Sequence, residues 1–181
     1  MKILSLPGLY NSDAAHWQSV WESHLPDFRR VQQHNWQMPQ RNEWVETLAA
    51  EISSVDDDIV VVAHSLGCAL LAWWLQRQLP GTAEVGKVKA ALLVAPPDVA
   101  RAEFPAPSFS PMPLQRFPFA SKVIASDDDP WCELAVAEQW AKAWGSEFHC
   151  IGAKGHINSG FGLADWKQGQ EWLSELFNKI P

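Results

Sequence analysis

Short continuous apolar runs alternate along the chain with longer segments whose apolar residues recur at helical spacing. Residues 2–6 read as a strand, and 14–25 as a helix with Trp17, Val20, Trp21 and Leu25 on one side. Residues 28–32 form a weaker strand pattern. Residues 42–54 place Trp44, Val45, Leu48 and Ile52 on one helical face. The run DIVVVA (58–63) is, after its opening Asp58, apolar without alternation, the pattern of a strand covered on both faces. Residues 66–78 follow at once and are apolar nearly all round, the mark of a buried helix. Further strands are predicted at 88–94, 121–126 and 147–151, and further helices at 131–144 and 165–178.

This β-α repetition predicts an α/β fold: a three-layer sandwich with a mainly parallel six-stranded sheet and helices on both faces. The expected strand order is 2-1-3-4-5-6, and one domain is expected over residues 1–181. The pattern breaks once, at 96–120, which holds seven of the thirteen prolines. A loop of that length at the carboxyl edge of a parallel sheet is expected to serve the site.

The turn between 58–63 and 66–78 carries the first chemistry. In VVVAHSLGCALL, Ser65 sits between strand and helix, the arrangement of a nucleophile elbow. The helix that follows offers free N–H groups and a favourable dipole, so the Leu66 N–H is a candidate oxyanion donor. Gly67 allows close packing of helix on strand. Ala63 stands where the G-x-S-x-G pattern has its first glycine. His64 is expected to point away from Ser65 and to act structurally.

A serine needs a base. Hydrolases of this topology place an acid after the penultimate strand and a histidine after the last one. Both occur here: DDDPW follows 121–126, and GAKGHINSG follows 147–151. His156 in that glycine-flanked loop is the candidate base. His16, His24 and His34 precede Ser65, and His149 falls inside a strand. Asp127, Asp128 and Asp129 compete for the acid role. The run lacks the alternation of a calcium loop, so no metal is expected.

Composition narrows the picture further. The net charge of −7 argues against nucleic acid as a partner. Three cysteines, Cys68, Cys132 and Cys150, suggest neither a disulfide framework nor a zinc site, and fit a reducing cytoplasm. Cys68 is expected in the core, and Cys132, near the acid loop, is a candidate for partial exposure. No membrane span and no signal peptide are expected. Eleven tryptophans are many; pairs such as Trp17/Trp21 and Trp140/Trp144 are expected to complete helix faces.

Four segments, LPGLYNSDAAHW, AHSLG, SDDDP and GHINSGFGLADW, together resemble the retinoblastoma-binding protein nine-like serine hydrolases, small lid-less members of the α/β-hydrolase superfamily. The resemblance implies a Ser65–His156–Asp129 triad, the acid being the Asp directly before proline. It also implies that Pro7-Gly8 stands in the oxyanion loop, with the Leu9 N–H as second donor. The namesake's L-x-C-x-E string is missing, so no retinoblastoma-type partner is implied.

These readings converge on hydrolysis of a small ester or related acyl compound through an acyl-enzyme, without a cofactor. Tyr10, Phe104, Phe109, Phe117 and Trp131 are the expected substrate-binding residues, the three phenylalanines belonging to the proline-rich cover. An amide-cleaving hydrolase or acyltransferase using the same triad stays open, as does a non-catalytic binding protein on the same fold. The oligomeric state is undetermined.

Overall fold

Alternation of side chains along a strand sends successive residues to opposite faces of a sheet. In β3 (Ile59–His64), Ile59, Val61 and Ala63 join one core while Val60 and Val62 join another. That is why 59–63 needs apolar residues without a break. The computed structural model describes residues 1–180. Its six strands are β1 (Lys2–Leu6), β2 (Phe28–Arg30), β3, β4 (Val88–Val94), β5 (Ala120–Ala125) and β6 (Glu147–Cys150). They form one sheet in the order 2-1-3-4-5-6, and all five pairings are parallel.

The larger core lies between the sheet and α2 (Arg41–Ser54), α3 (Leu66–Gln76) and α5 (Leu134–Trp144). The short helix α4 (Ala83–Lys87), not expected from the sequence, adds Val85 to it. The opposite face carries α1 (Trp17–His24) and α6 (Lys167–Phe177). Among the described residues no helix is long and apolar enough to cross a membrane.

Helix ends differ from the expected ones where capping intervenes. α1 begins at Trp17 because His16 is its N-cap, the His16 Nδ1 accepting from the Gln18 N–H at 3.2 Å. α5 begins at Leu134 rather than 131, since Asp129–Trp131 forms a turn closed by the Trp131 N–H on the Asp129 carboxylate at 2.9 Å.

The tryptophans do more than complete helix faces. Several indoles, all buried except the partly buried Trp73, donate N–H bonds to carbonyls of irregular segments: Trp17 to Ile157 (3.0 Å), Trp21 to Asp165 (2.9 Å), Trp73 to Phe109 (2.7 Å) and Trp144 to Pro113 (2.8 Å). Each combines a large apolar surface with one donor, so irregular segments are tied to the helices.

The proline-rich segment shows this most clearly. Val99, Ala106, Phe109, Met112 and Phe117 are buried in the larger core. The segment is a packed wall rather than a loose cover, and it contains a 3-10 turn at Pro107–Phe109. Cys132 is buried rather than partly exposed, while Cys68 is in the core and Cys150 is exposed.

Candidate active site

In a parallel sheet all strands end along one edge, and the loops after β1, β3, β5 and β6 meet there. Ser65 follows β3 directly. Its backbone is held at φ 53° and ψ −126°, a strained conformation for a residue with a side chain. The strain is sustained by regular structure on both sides. The Ser65 N–H donates to the Val94 carbonyl (2.9 Å), and its own carbonyl accepts from the Cys68 N–H (2.9 Å). Two glycines allow the close approach. A Cβ on Gly67 would lie 2.1 Å from the Leu6 carbonyl oxygen, and one on Gly8 would lie 2.6 Å from the Ser65 Cβ. Ala63 in place of glycine costs nothing visible, because its methyl group packs in the larger core.

The structure brings the three expected polar groups into one line. The Ser65 hydroxyl donates to His156 Nε2 at 2.7 Å. His156 Nδ1–H faces both Asp129 carboxylate oxygens, at 3.0 and 2.9 Å. The Asp129 side chain is 4% exposed. Its neighbours do other things. Asp127 is exposed. Asp128 accepts from the Ser126 hydroxyl (2.6 Å) and the Gly155 N–H (2.6 Å), which ties the acid loop to the histidine loop. Those two bonds hold the Asp128 carboxyl below its ordinary pKa.

The N–H groups of Leu66 and Leu9 have no acceptor among the described residues. Leu66 is the first residue of α3, where the helix dipole favours negative charge.

A cavity of about 390 Å³ opens at this edge. Leu9, Tyr10, Phe104, Pro105 and Trp131 form an apolar side; Asn11, Asp13, Asn158 and Ser159 form a polar one. Tyr10, Phe104 and Trp131 therefore line the cavity. Phe109 and Phe117 do not. Phe109 is fully buried edge-on to Trp44, and Phe117 stacks on Trp144 at 5.2 Å. Of the proline-rich segment only Phe104 and Pro105 reach the cavity.

Two histidines that carried no site role in the sequence reading also line it. His16 is 3% exposed, and burial lowers its pKa to about 4; the Asp13 carboxylate opposes the shift, while Arg30 and His156 add to it. His64 is pushed well below the ordinary imidazole range by burial, then by His16 and His156. Both are neutral near neutral pH. An imidazolium formed at His156 thus meets the Asp129 carboxylate and neutral imidazoles rather than other histidine cations. His16 escaped notice because it precedes the serine in the chain. The signal available was its place in the segment LPGLYNSDAAHW, shortly after Pro7-Gly8.

A parallel 2-1-3-4-5-6 sheet with a serine elbow after its third strand defines an α/β hydrolase. Residues 3–175 match the serine hydrolase family, and the chain belongs to it. Among solved structures it is similar to a protein of Pectobacterium atrosepticum described as a YdeN-like hydrolase. The two share 29% identity over 99% of this chain and 92% of the other, with a TM-score of 0.86. The ydeN gene product of B. subtilis is 18% identical over 99% of this chain and 100% of its own, with a TM-score of 0.78. Est1E of Butyrivibrio proteoclasticus, solved with ferulic acid bound, shares the fold at 11% identity, covering 98% and 89%, with a TM-score of 0.69. A search of the curated proteins found no match.

Proposed function

We propose that this serine hydrolase cleaves small esters or related acyl compounds through a Ser65–His156–Asp129 triad. The observation that carries the reading is the unbroken hydrogen-bonded line from Ser65 through His156 to Asp129 at the floor of the cavity. His156 Nε2 takes the hydroxyl proton as Ser65 Oγ attacks the acyl carbon. Asp129 holds the imidazole with its proton on Nδ1 and stabilises the imidazolium. Leu66 and Leu9 present their free N–H groups to the oxyanion. His156 then passes the proton to the leaving group. Water repeats the sequence on the acyl-enzyme and regenerates Ser65.

The cavity bounds the substrate. Its apolar side, with Tyr10, Phe104 and Trp131, suits a short acyl chain or a compact aromatic group. Within the family, the segments LPGLYNSDAAHW and GHINSGFGLADW support placing the chain with the retinoblastoma-binding protein nine-like group. A panel of p-nitrophenyl esters of increasing chain length tests the substrate reading. Activity should be highest on short or compact aromatic esters and absent in Ser65→Ala. Long-chain triglycerides as best substrates, with activation at an oil–water interface, would overturn it.

A further inference from the structure

His156 sits in a loop with almost no regular structure. Gly155 and Ile157 on either side both have positive φ, 49° and 50°. Such a loop does not fix the position of an imidazole by itself. Side chains from elsewhere do so by holding its backbone. The Lys154 N–H donates to Ser126 Oγ (2.8 Å) and the Gly155 N–H to Asp128. The His156 carbonyl is met by His64 Nε2 at 2.8 Å, and the Ile157 carbonyl by the Trp17 indole.

We propose that His64 is a positioning residue for the base: its Nε2–H bond to the His156 carbonyl sets the distance between His156 and Ser65. The inference rests on the triad reading above. His64 is the last residue of β3 and the immediate neighbour of Ser65, paired with Val94 in the sheet. The anchor of the base and the nucleophile are therefore one rigid dipeptide. A carbonyl only accepts, so His64 carries its proton on Nε2. The ring cannot swing away. His16 packs against it edge-on at 4.6 Å, His156 lies 5.1 Å off, and Trp17 stands at 6.1 Å. Burial keeps the ring neutral, so it adds no positive charge beside the imidazolium that forms on His156.

The test compares His64→Gln with His64→Met. The two side chains are close in size, and only glutamine has an N–H donor. His64→Met should lower kcat by about 10²-fold with KM little changed, the scale expected for an ångström of misplacement. His64→Gln should recover most of that loss. A normal kcat in His64→Met, or equal losses in both variants, would overturn the proposal. If His64→Met does not fold, nitrogen NMR of the wild-type protein decides. An Nε2–H tautomer with a through-bond coupling to the His156 carbonyl supports it, and an Nδ1–H tautomer overturns it. Ser65→Ala is assayed alongside. Activity surviving in that variant refutes the triad reading itself, whereas an inactive Ser65→Ala beside a normal His64→Met refutes only the role of His64.

Discussion

Ser65 and His156 meet at 2.7 Å but arrive there by opposite means. The serine is placed by backbone: a strand behind it, a helix in front, a sheet bond to Val94, and two glycines that let β1 and the Pro7-Gly8 loop press against the elbow. The histidine is placed by side chains. Ser126, Asp128, His64 and Trp17 hold four consecutive residues of its loop. A backbone-built site is robust to side-chain changes but intolerant of added bulk. A site held by side chains loses its alignment one bond at a time. Substitutions on the two sides should therefore fail differently, the elbow in stability and the loop in turnover.

The largest effect is expected from the nucleophile. Ser65→Ala should lower kcat on an activated ester by about 10⁶-fold, the scale seen when a triad serine is removed. The fold should survive, since no hydrogen bond in the elbow's backbone depends on the hydroxyl. Circular dichroism with steady-state kinetics checks both halves.

Asp129→Asn comes next. An asparagine at that position favours the wrong imidazole tautomer, and the expected loss in kcat is about 10⁴-fold. Asp127→Asn, at an exposed position, should stay near wild type. If Asp127→Asn is the crippled variant, the acid is misassigned.

Gly67→Ala sharpens the contrast from the backbone side. The new methyl group would lie 2.1 Å from the Leu6 carbonyl oxygen, so strand and helix must separate. The expected cost is about 4 kcal/mol of stability, read by urea unfolding. A loss below ~1 kcal/mol would show that the elbow yields more easily than its packing implies.

Acid stability follows from His16. Its pKa is lowered to about 4 in the folded protein by burial, against 6.5 for the free side chain. Above that upper value both folded and unfolded chains carry a neutral His16 and no difference arises. As pH falls from 6.5 toward 4, the unfolded state takes up a proton that the folded state refuses, so stability falls. The full effect is roughly 3 kcal/mol. His16→Asn keeps an N-cap acceptor but cannot titrate, so it should make the slope of unfolding free energy shallower over that window, with buried His64 sustaining the remainder.

The smallest effect is expected from Asp128→Ala, which frees the Gly155 N–H and the Ser126 hydroxyl. Turnover should drop about tenfold through a loosened base, far less than for Asp129→Asn. Comparable losses in kcat for the two variants would mean that Asp128 does more than tie the loops together.

Much of this was legible before the structure. The unbroken apolar run 59–63, the turn at Ser65 and the helix from Leu66 announce the elbow because both faces of β3 are covered. His156 and the aspartates follow the last two strands, and chain order is all that was needed to bring them to one edge. Less could be read where tertiary contacts decide. Phe109 and Phe117 look like any aromatic residues in a proline-rich loop. Their orientation depends on Trp44 and Trp144, far away in sequence. His64 and His16 were hidden for a similar reason. Their partners, His156 and one another, lie across the site, and no local pattern marks a histidine that holds another histidine's carbonyl.

The most direct test of the central claim is covalent. The folded protein is treated with a fluorophosphonate, and the modified residue is mapped by peptide mass spectrometry. The triad account predicts a single rapid adduct on Ser65, abolished in Ser65→Ala and much slower in Asp129→Asn. An adduct on another serine, or none on well-folded protein, would contradict it.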